Sequence, residues 1–214
     1  MRTWAIVVAA GSGARFGAAK QFADLGGERV VERSTRVAGE SCTGVVVVVP
    51  QGCDWRPPSG TAVTAGGATR SDSVRAGLAL VPDDAEIVVV HDAARPLASP
   101  ELFRRVVQAV ADGADGAVPA LAVADTIKRV DGGRVVETVP REGLVAVQTP
   151  QAFRASLLRA VHTSGGVDTD DAALVEAAGG TVAVVEGERH NFKLTLADDL
   201  ELARALVAGG GPAA

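Results

Sequence analysis

Short apolar runs that alternate with helical patterns constrain this chain most. "WAIVVA" (4–9), "GVVVVVP" (44–50), "TAVTA" (61–65), "EIVVVHD" (86–92) and "GAVPAL" (116–121) read as strands. Several are apolar throughout, as parallel strands covered on both faces are. Helical patterns lie between them at about 30–39, 70–80 and 100–112. "SPELFRRVVQAVADG" is the clearest: Ser99 caps the start, Pro100 suits the first turn, Glu101 complements the dipole and Gly113 ends it. Strand–helix alternation implies right-handed crossovers, and so an α/β, Rossmann-like doubly wound, mostly parallel sheet. With aromatics at 3% and no Tyr, its core has to come from Val, Leu, Ile and Ala.

The pattern changes after residue 121. "VADTIKRVDGGRVVETVPREGLVAVQTPQAF" holds two β-like stretches around Asp131-Gly132-Gly133, a hairpin signal. An inserted hairpin projects from a parallel sheet, as an arm over about 122–143 that covers a site or grips a second subunit. Helices are expected again at about 152–161 and 170–178, then a strand at 181–187 and a last helix at about 198–207. No repeat or linker interrupts the chain, so residues 1–208 are expected to form one domain and 209–214 a flexible tail.

Bulk properties exclude several classes. Net charge is −5 with no basic block, which argues against nucleic acid as a partner. No apolar stretch approaches the ~20 residues of a membrane span. Cys42 and Cys53 lack metal-ligand spacing and read as reduced thiols. The first apolar run is short, carries Trp4 and leads straight into a glycine loop, unlike a secretory leader. The expected compartment is the cytoplasm.

That loop, "AAGSGARFGAAKQF" (9–22), lies where open α/β sheets bind ligands, beyond a strand's carboxyl end. Gly11 and Gly13 let backbone N–H groups approach a phosphate. The dinucleotide pattern fails, because Phe16 occupies its third glycine position, and the Walker pattern is absent. The second strand also ends at Val49-Pro50-Gln51, without the acidic residue a dehydrogenase needs. Arg15 and Lys20 repel one another unless an anion lies between them, which points to an anion site. "HD" at 91–92 matches a metallophosphohydrolase ligand pair, but the chain has three histidines and no second carboxylate cluster near them, so His91 reads as structural.

The loop resembles that of nucleotidyltransferases that couple a phosphorylated alcohol or sugar to a nucleoside triphosphate. Later segments narrow the resemblance to the 2-C-methyl-D-erythritol 4-phosphate cytidylyltransferase family. They are "GGATRSDSVRAGL" (66–78), "VHDAARP" (90–96), "DTIKR" (125–129), "TPQAF" (149–153), "TDDAALVE" (169–176) and "NFKLT" (191–195), spanning nearly the whole chain. One departure is Ala19, where the family carries proline before the loop lysine.

The resemblance implies a nucleotidyltransferase domain that transfers CMP from CTP to a polyol phosphate, with Mg²⁺ or another divalent cation as cofactor. It implies catalytic roles for Arg15, Lys20 and Lys193. The nucleotide is expected on Ala9, Ala10, Gly11, Gly13, Gly66, Gly67, Ala68 and Ser73. The polyol phosphate is expected on Asp92, Ala93, Arg95, Thr126, Arg141 and Thr169, with Asp92 a candidate metal ligand. Thr126 and Arg141 reach the substrate from a neighbouring subunit in the family, which implies a homodimer joined through the arm. From the residues alone, Ser71 or Asp72 could simply cap a helix, as could Thr169. Ribitol 5-phosphate as acceptor and a non-catalytic nucleotide-binding module remain the alternative readings.

Overall fold

The computed structural model describes residues 1–11, 20–163 and 170–210. The expected strands form as β1 (Thr3–Val8), β2 (Gly44–Val49), β3 (Ala62–Ala65), β4 (Ile87–Asp92), β5 (Gly116–Ala122) and β10 (Val182–Glu186). The expected helices form as α1 (Val30–Ser41), α2 (Arg70–Leu78), α3 (Pro100–Ala111), α4 (Ala155–Thr163), α5 (Asp171–Ala177) and α6 (Ala197–Ala208). β6 (Ile127–Asp131) and β7 (Arg134–Val139) make the hairpin, and β8 (Val145–Val147) and β9 (Gln151–Arg154) follow it.

The central sheet runs β10-β5-β9-β4-β1-β2-β3, with β8 added beside β5. β1 pairs in parallel with β2 and β4, β2 with β3, and β5 with β10. β9 is the exception. It lies antiparallel between β4 and β5, where a helix was expected from about 152. The helix instead starts at Ala155, because Ala152 and Phe153 are fully buried in the sheet. β8 was not expected either, and it pairs antiparallel with β5.

Alternation along the strands divides the core between the two faces. Ala5, Val7, Val45, Val47 and Val89 pack with Leu102, Phe103 and Val106 of α3 and Val31 and Val37 of α1. Ile6, Val46, Val48, Val88 and Val90 pack with Val74 of α2, Leu158 of α4 and Val175 of α5. Each valine so enclosed contributes about 1.5 kcal/mol or more of burial free energy. A third cluster joins Leu25, Leu97, Leu194, Leu200 and Ala203 beneath α6.

The hairpin stands apart as its own two-stranded sheet. Gly132 (φ 51°) and Gly133 (φ 79°) form its turn in the left-handed region that a tight hairpin requires. Val130, Val135 and Val136 on it are 58%, 61% and 57% exposed, so the arm buries no core of its own. Among the described residues, no helix is long and apolar enough to cross a membrane.

Candidate active site

The site begins where β1 and β2 end. Ala9 remains strand-like, its N–H donating to the Val48 carbonyl at 2.7 Å, and Gly66 N–H donates to Val49 at 2.8 Å. These bonds press the 66–69 loop against Ala10. A Cβ on Gly66 would lie 2.3 Å from the Ala10 Cβ and 2.7 Å from Ser73 Oγ, so only glycine fits. Ser73 is buried; its hydroxyl donates to the Thr69 carbonyl at 3.0 Å and accepts from Gly67 N–H at 3.3 Å. Ala9, Ala10, Gly66, Gly67 and Ser73 therefore meet in one place. Gly11 and Ala68 are exposed at its rim. The helix cap is neither Ser71 nor Asp72. Thr69 caps α2, its hydroxyl accepting from Asp72 N–H while the Asp72 carboxylate accepts from Thr69 N–H, both at 3.0 Å.

β4 delivers the charged centre. His91 turns inward, its ring 5.1 Å from that of Phe103 and its Nδ1 3.2 Å from Thr149 Oγ1. Burial pushes its pKa down to about 4, so it is neutral and structural. Asp92 sits at the rim, its N–H bonded to Thr149 Oγ1 at 3.0 Å. Asp92 Oδ2 accepts from Lys193 Nζ at 2.6 Å, and Oδ1 from Arg70 Nε at 3.3 Å. Burial raises the Asp92 pKa, but Arg70 and Lys193 outweigh it and hold the carboxyl well below the usual range. Ala93 is buried beside it, donating to the Val8 carbonyl at 3.0 Å.

Two lysines converge through the 191–195 segment. Leu194 is fully buried under α6 and donates to the Ala94 carbonyl at 2.8 Å, which leaves Lys193 exposed beside Asp92. Lys20 opens a short 3₁₀ turn (Lys20–Phe22), and its Nζ donates to the Leu194 carbonyl at 2.6 Å. Arg95 Nη1 donates to the Asn191 carbonyl at 2.8 Å and Nη2 to Val147 at 3.4 Å, tying this segment to β8. Arg70, Asp92, Arg95, Gln148, Asp170 and Lys193 are among the residues lining a cleft of about 240 Å³.

Two other expected site residues lie elsewhere. Thr126 and Arg141 are exposed on the arm, and the cleft lining does not include them. Arg15, Gly13 and Thr169, like the tail residues 211–214, fall outside the described residues.

Arg70 was missed by reading the sequence. It is the first residue of α2, where a cation opposes the helix dipole. Such a placement signals a fixed anionic partner, and that signal was present in "GGATRSDS". Here it has two: Asp92, and Asp171 of α5, whose Oδ2 accepts from Arg70 Nη1 at 2.6 Å. Burial lowers the Arg70 pKa, but Asp171 and Asp92 reverse this and raise it. Asp171 is 1% exposed and also bonds His162 Nε2 at 2.9 Å.

A protein-held divalent cation does not fit this donor set. Both Asp92 oxygens already face cations, and among the described residues no three His, Cys, Asp or Glu side chains gather into a metal-holding group.

A family model for 2-C-methyl-D-erythritol 4-phosphate cytidylyltransferase, IspD, matches residues 3–209. The 2-C-methyl-D-erythritol 4-phosphate cytidylyltransferase of Rhodococcus jostii is 47% identical over 216 residues, covering 96% of this chain and 95% of that protein. A bifunctional enzyme IspD/IspF of Anaeromyxobacter dehalogenans is 46% identical over 224 residues; the match covers 96% of this chain and 57% of that relative. The crystal structure of the Thermus thermophilus 2-C-methyl-D-erythritol 4-phosphate cytidylyltransferase superposes with a TM-score of 0.86 at 38% identity, covering 97% of this chain and 100% of that one.

Proposed function

The chain belongs to the 2-C-methyl-D-erythritol 4-phosphate cytidylyltransferase family, and from that premise we propose the reaction its sheet edge performs. CMP passes from CTP to 2-C-methyl-D-erythritol 4-phosphate, giving CDP-methylerythritol and pyrophosphate, in non-mevalonate isoprenoid precursor synthesis. Because the chain spans only 57% of the bifunctional relative, no second activity is proposed.

One observation carries the reading. The glycine-lined loop against Ala10, the Asp92 carboxylate, and the linked lysines Lys20 and Lys193 meet at one sheet edge. A phosphate oxygen of the acceptor attacks the α-phosphorus of CTP. The new P–O bond forms as the bond to the β-phosphate oxygen breaks, and pyrophosphate leaves with that electron pair. The nucleophile is already an anion near neutral pH, so no general base is needed. The difficulty lies in bringing two polyanions together and stabilising charge at a crowded phosphorus. Lys20 and Lys193 supply compact charges for this, joined by Arg15 from the loop. Backbone groups of Ala9, Ala10, Gly11, Gly66, Gly67 and Ala68, with Ser73, read the pyrimidine edge, and Gly13 lets the loop backbone approach the phosphates; this frame disfavours bulkier purines. Asp92, Ala93, Arg95 and Thr169 hold the acceptor. A divalent cation, Mg²⁺ or another, would come with the triphosphate and supply neutralising charge there, since no group among the described residues is placed to hold it.

The arm completes the site in a homodimer, with Thr126 and Arg141 reaching the acceptor in the neighbouring protomer. Three half-exposed valines on an otherwise unsupported hairpin favour this reading, because docking would bury them.

The experiment is pyrophosphate release with Mg²⁺, the polyol phosphate and each of CTP, UTP, ATP and GTP. Release with CTP alone, dependent on methylerythritol phosphate, is expected. Release with CTP and ribitol 5-phosphate instead would keep the transfer chemistry and overturn the acceptor. No release with any pair would leave a nucleotide-binding module.

A further inference from the structure

Arg70 has no role in the reaction as described above, yet it joins three parts of the site. It follows the base-reading loop in sequence, touches Asp92 at the end of β4, and touches Asp171 at the start of α5. We propose that Arg70 is a positioning residue that keeps Asp92 fixed for the polyol phosphate when Lys193 turns to the phosphates. This inference rests on the roles proposed above for Asp92 and Lys193.

The charges demand such a residue. Lys193 lies 2.6 Å from Asp92, and its side chain is 45% exposed. A lysine that moves onto a phosphate cannot also hold Asp92. The Asp92 side chain is 12% exposed, and a carboxylate so enclosed is costly without a cation. Arg70 stays, because its other end is anchored. Asp171 is almost fully buried and bonded on its far side to His162, so it cannot follow a ligand. Arg70 is in turn a poor phosphate ligand, since two carboxylates already neutralise it. Its planar fork spans both acids at once, whereas a lysine ammonium is a single compact charge.

The test is steady-state kinetics of the full chain with CTP and methylerythritol phosphate for wild type, Arg70→Ala, Arg70→Lys and Asp171→Asn, with a melting curve for each. Arg70→Ala is expected to raise KM for the polyol phosphate about tenfold or more, as loss of a charged hydrogen bond does, with KM for CTP changing by less than about twofold. Guanidinium at millimolar concentration should restore KM, and ammonium should not. Arg70→Lys should recover only part of the loss. Asp171→Asn, which loosens the anchor and leaves Arg70 on Asp92, should shift the same KM by less. A merely structural role would move both KM values together and follow the melting temperature. That pattern, or an unchanged polyol phosphate KM in Arg70→Ala, would overturn the inference. If Arg70→Ala does not fold, Asp171→Asn decides: an unchanged KM for the polyol phosphate overturns it. Wild-type turnover without the KM split defeats this inference alone, whereas no wild-type turnover defeats the functional reading as well.

Discussion

At the carboxyl edge of the sheet, Lys193, Asp92, Arg70 and Asp171 form one unbroken chain of charged contacts. On the hairpin arm, β6 and β7 pair only with each other in the described residues, and their ion pair between Arg129 and Glu137 faces solvent. The edge is built on strands and helices packed into the core on both faces of the sheet. The arm has no packed face, and exposed pairs of its kind contribute about 1 kcal/mol at most. The difference separates two tasks. Electrostatic stabilisation of a transition state needs a frame that does not reorganise around the few side chains that turn to the substrate. The arm's proposed task, reaching a neighbouring protomer, needs length and a face left open for docking.

The largest effect should come from the edge. Lys193→Ala or Lys20→Ala is expected to slow transfer by about 10²–10³-fold, the cost of one lost charge-stabilising donor. Single-turnover formation of CDP-methylerythritol measures it, and unchanged rates in both variants would strike these lysines from the mechanism. Acid should also act on this region first. The buried His91 binds a proton only near pH 4, against an ordinary value of 6.5. Between those values the unfolded chain holds more protons, so stability falls as pH drops through that window, by as much as about 3 kcal/mol. Urea titrations of wild type and His91→Gln should show the variant with the flatter pH slope; equal slopes would mean that His91 is not the group responsible.

Gly66→Ala sharpens the comparison inside the edge. Its new Cβ collides with Ala10 and Ser73, so KM for CTP should rise about tenfold, within the cost of an overpacked contact. The arm should show the smallest effect on stability. Arg141→Ala should leave unfolding free energy within about 0.5 kcal/mol of wild type, as exposed substitutions do. Isothermal titration should find its CTP binding unaltered, while KM for the polyol phosphate rises. A loss of CTP binding would place Arg141 in a different role.

What the sequence disclosed follows from range. Five valines in a row, from Val45 to Val49, can be little else than a strand covered on both sides, and β2 is that strand. β9 was hidden because Gln151, Ala152 and Arg154 are weak strand formers. Its conformation comes from β4 and β5 on either side. The glycine loops and the lysines of the site were legible as motifs. Their partners were not. Asp92 meets one cation 22 positions before it and another 101 positions after it, and no local pattern encodes either pairing. Arg70 alone left a local trace, as a cation on the wrong end of a helix.

The most direct measurement is complementation between two impaired variants, assayed with the polyol phosphate near its wild-type KM, where the raised KM of Arg141→Ala leaves that variant little activity. In the proposed homodimer, Lys193→Ala damages the edge of its own protomer, and Arg141→Ala damages the arm lent to its partner. Coexpressed as a mixture, half of the dimers pair one of each, and each such dimer contains one site with an intact edge and an intact arm. Recovery of about a quarter of wild-type transfer activity is expected, as a two-fold dimer with shared sites requires. A mixture no more active than its separate variants would contradict it, and would return the whole site to a single chain.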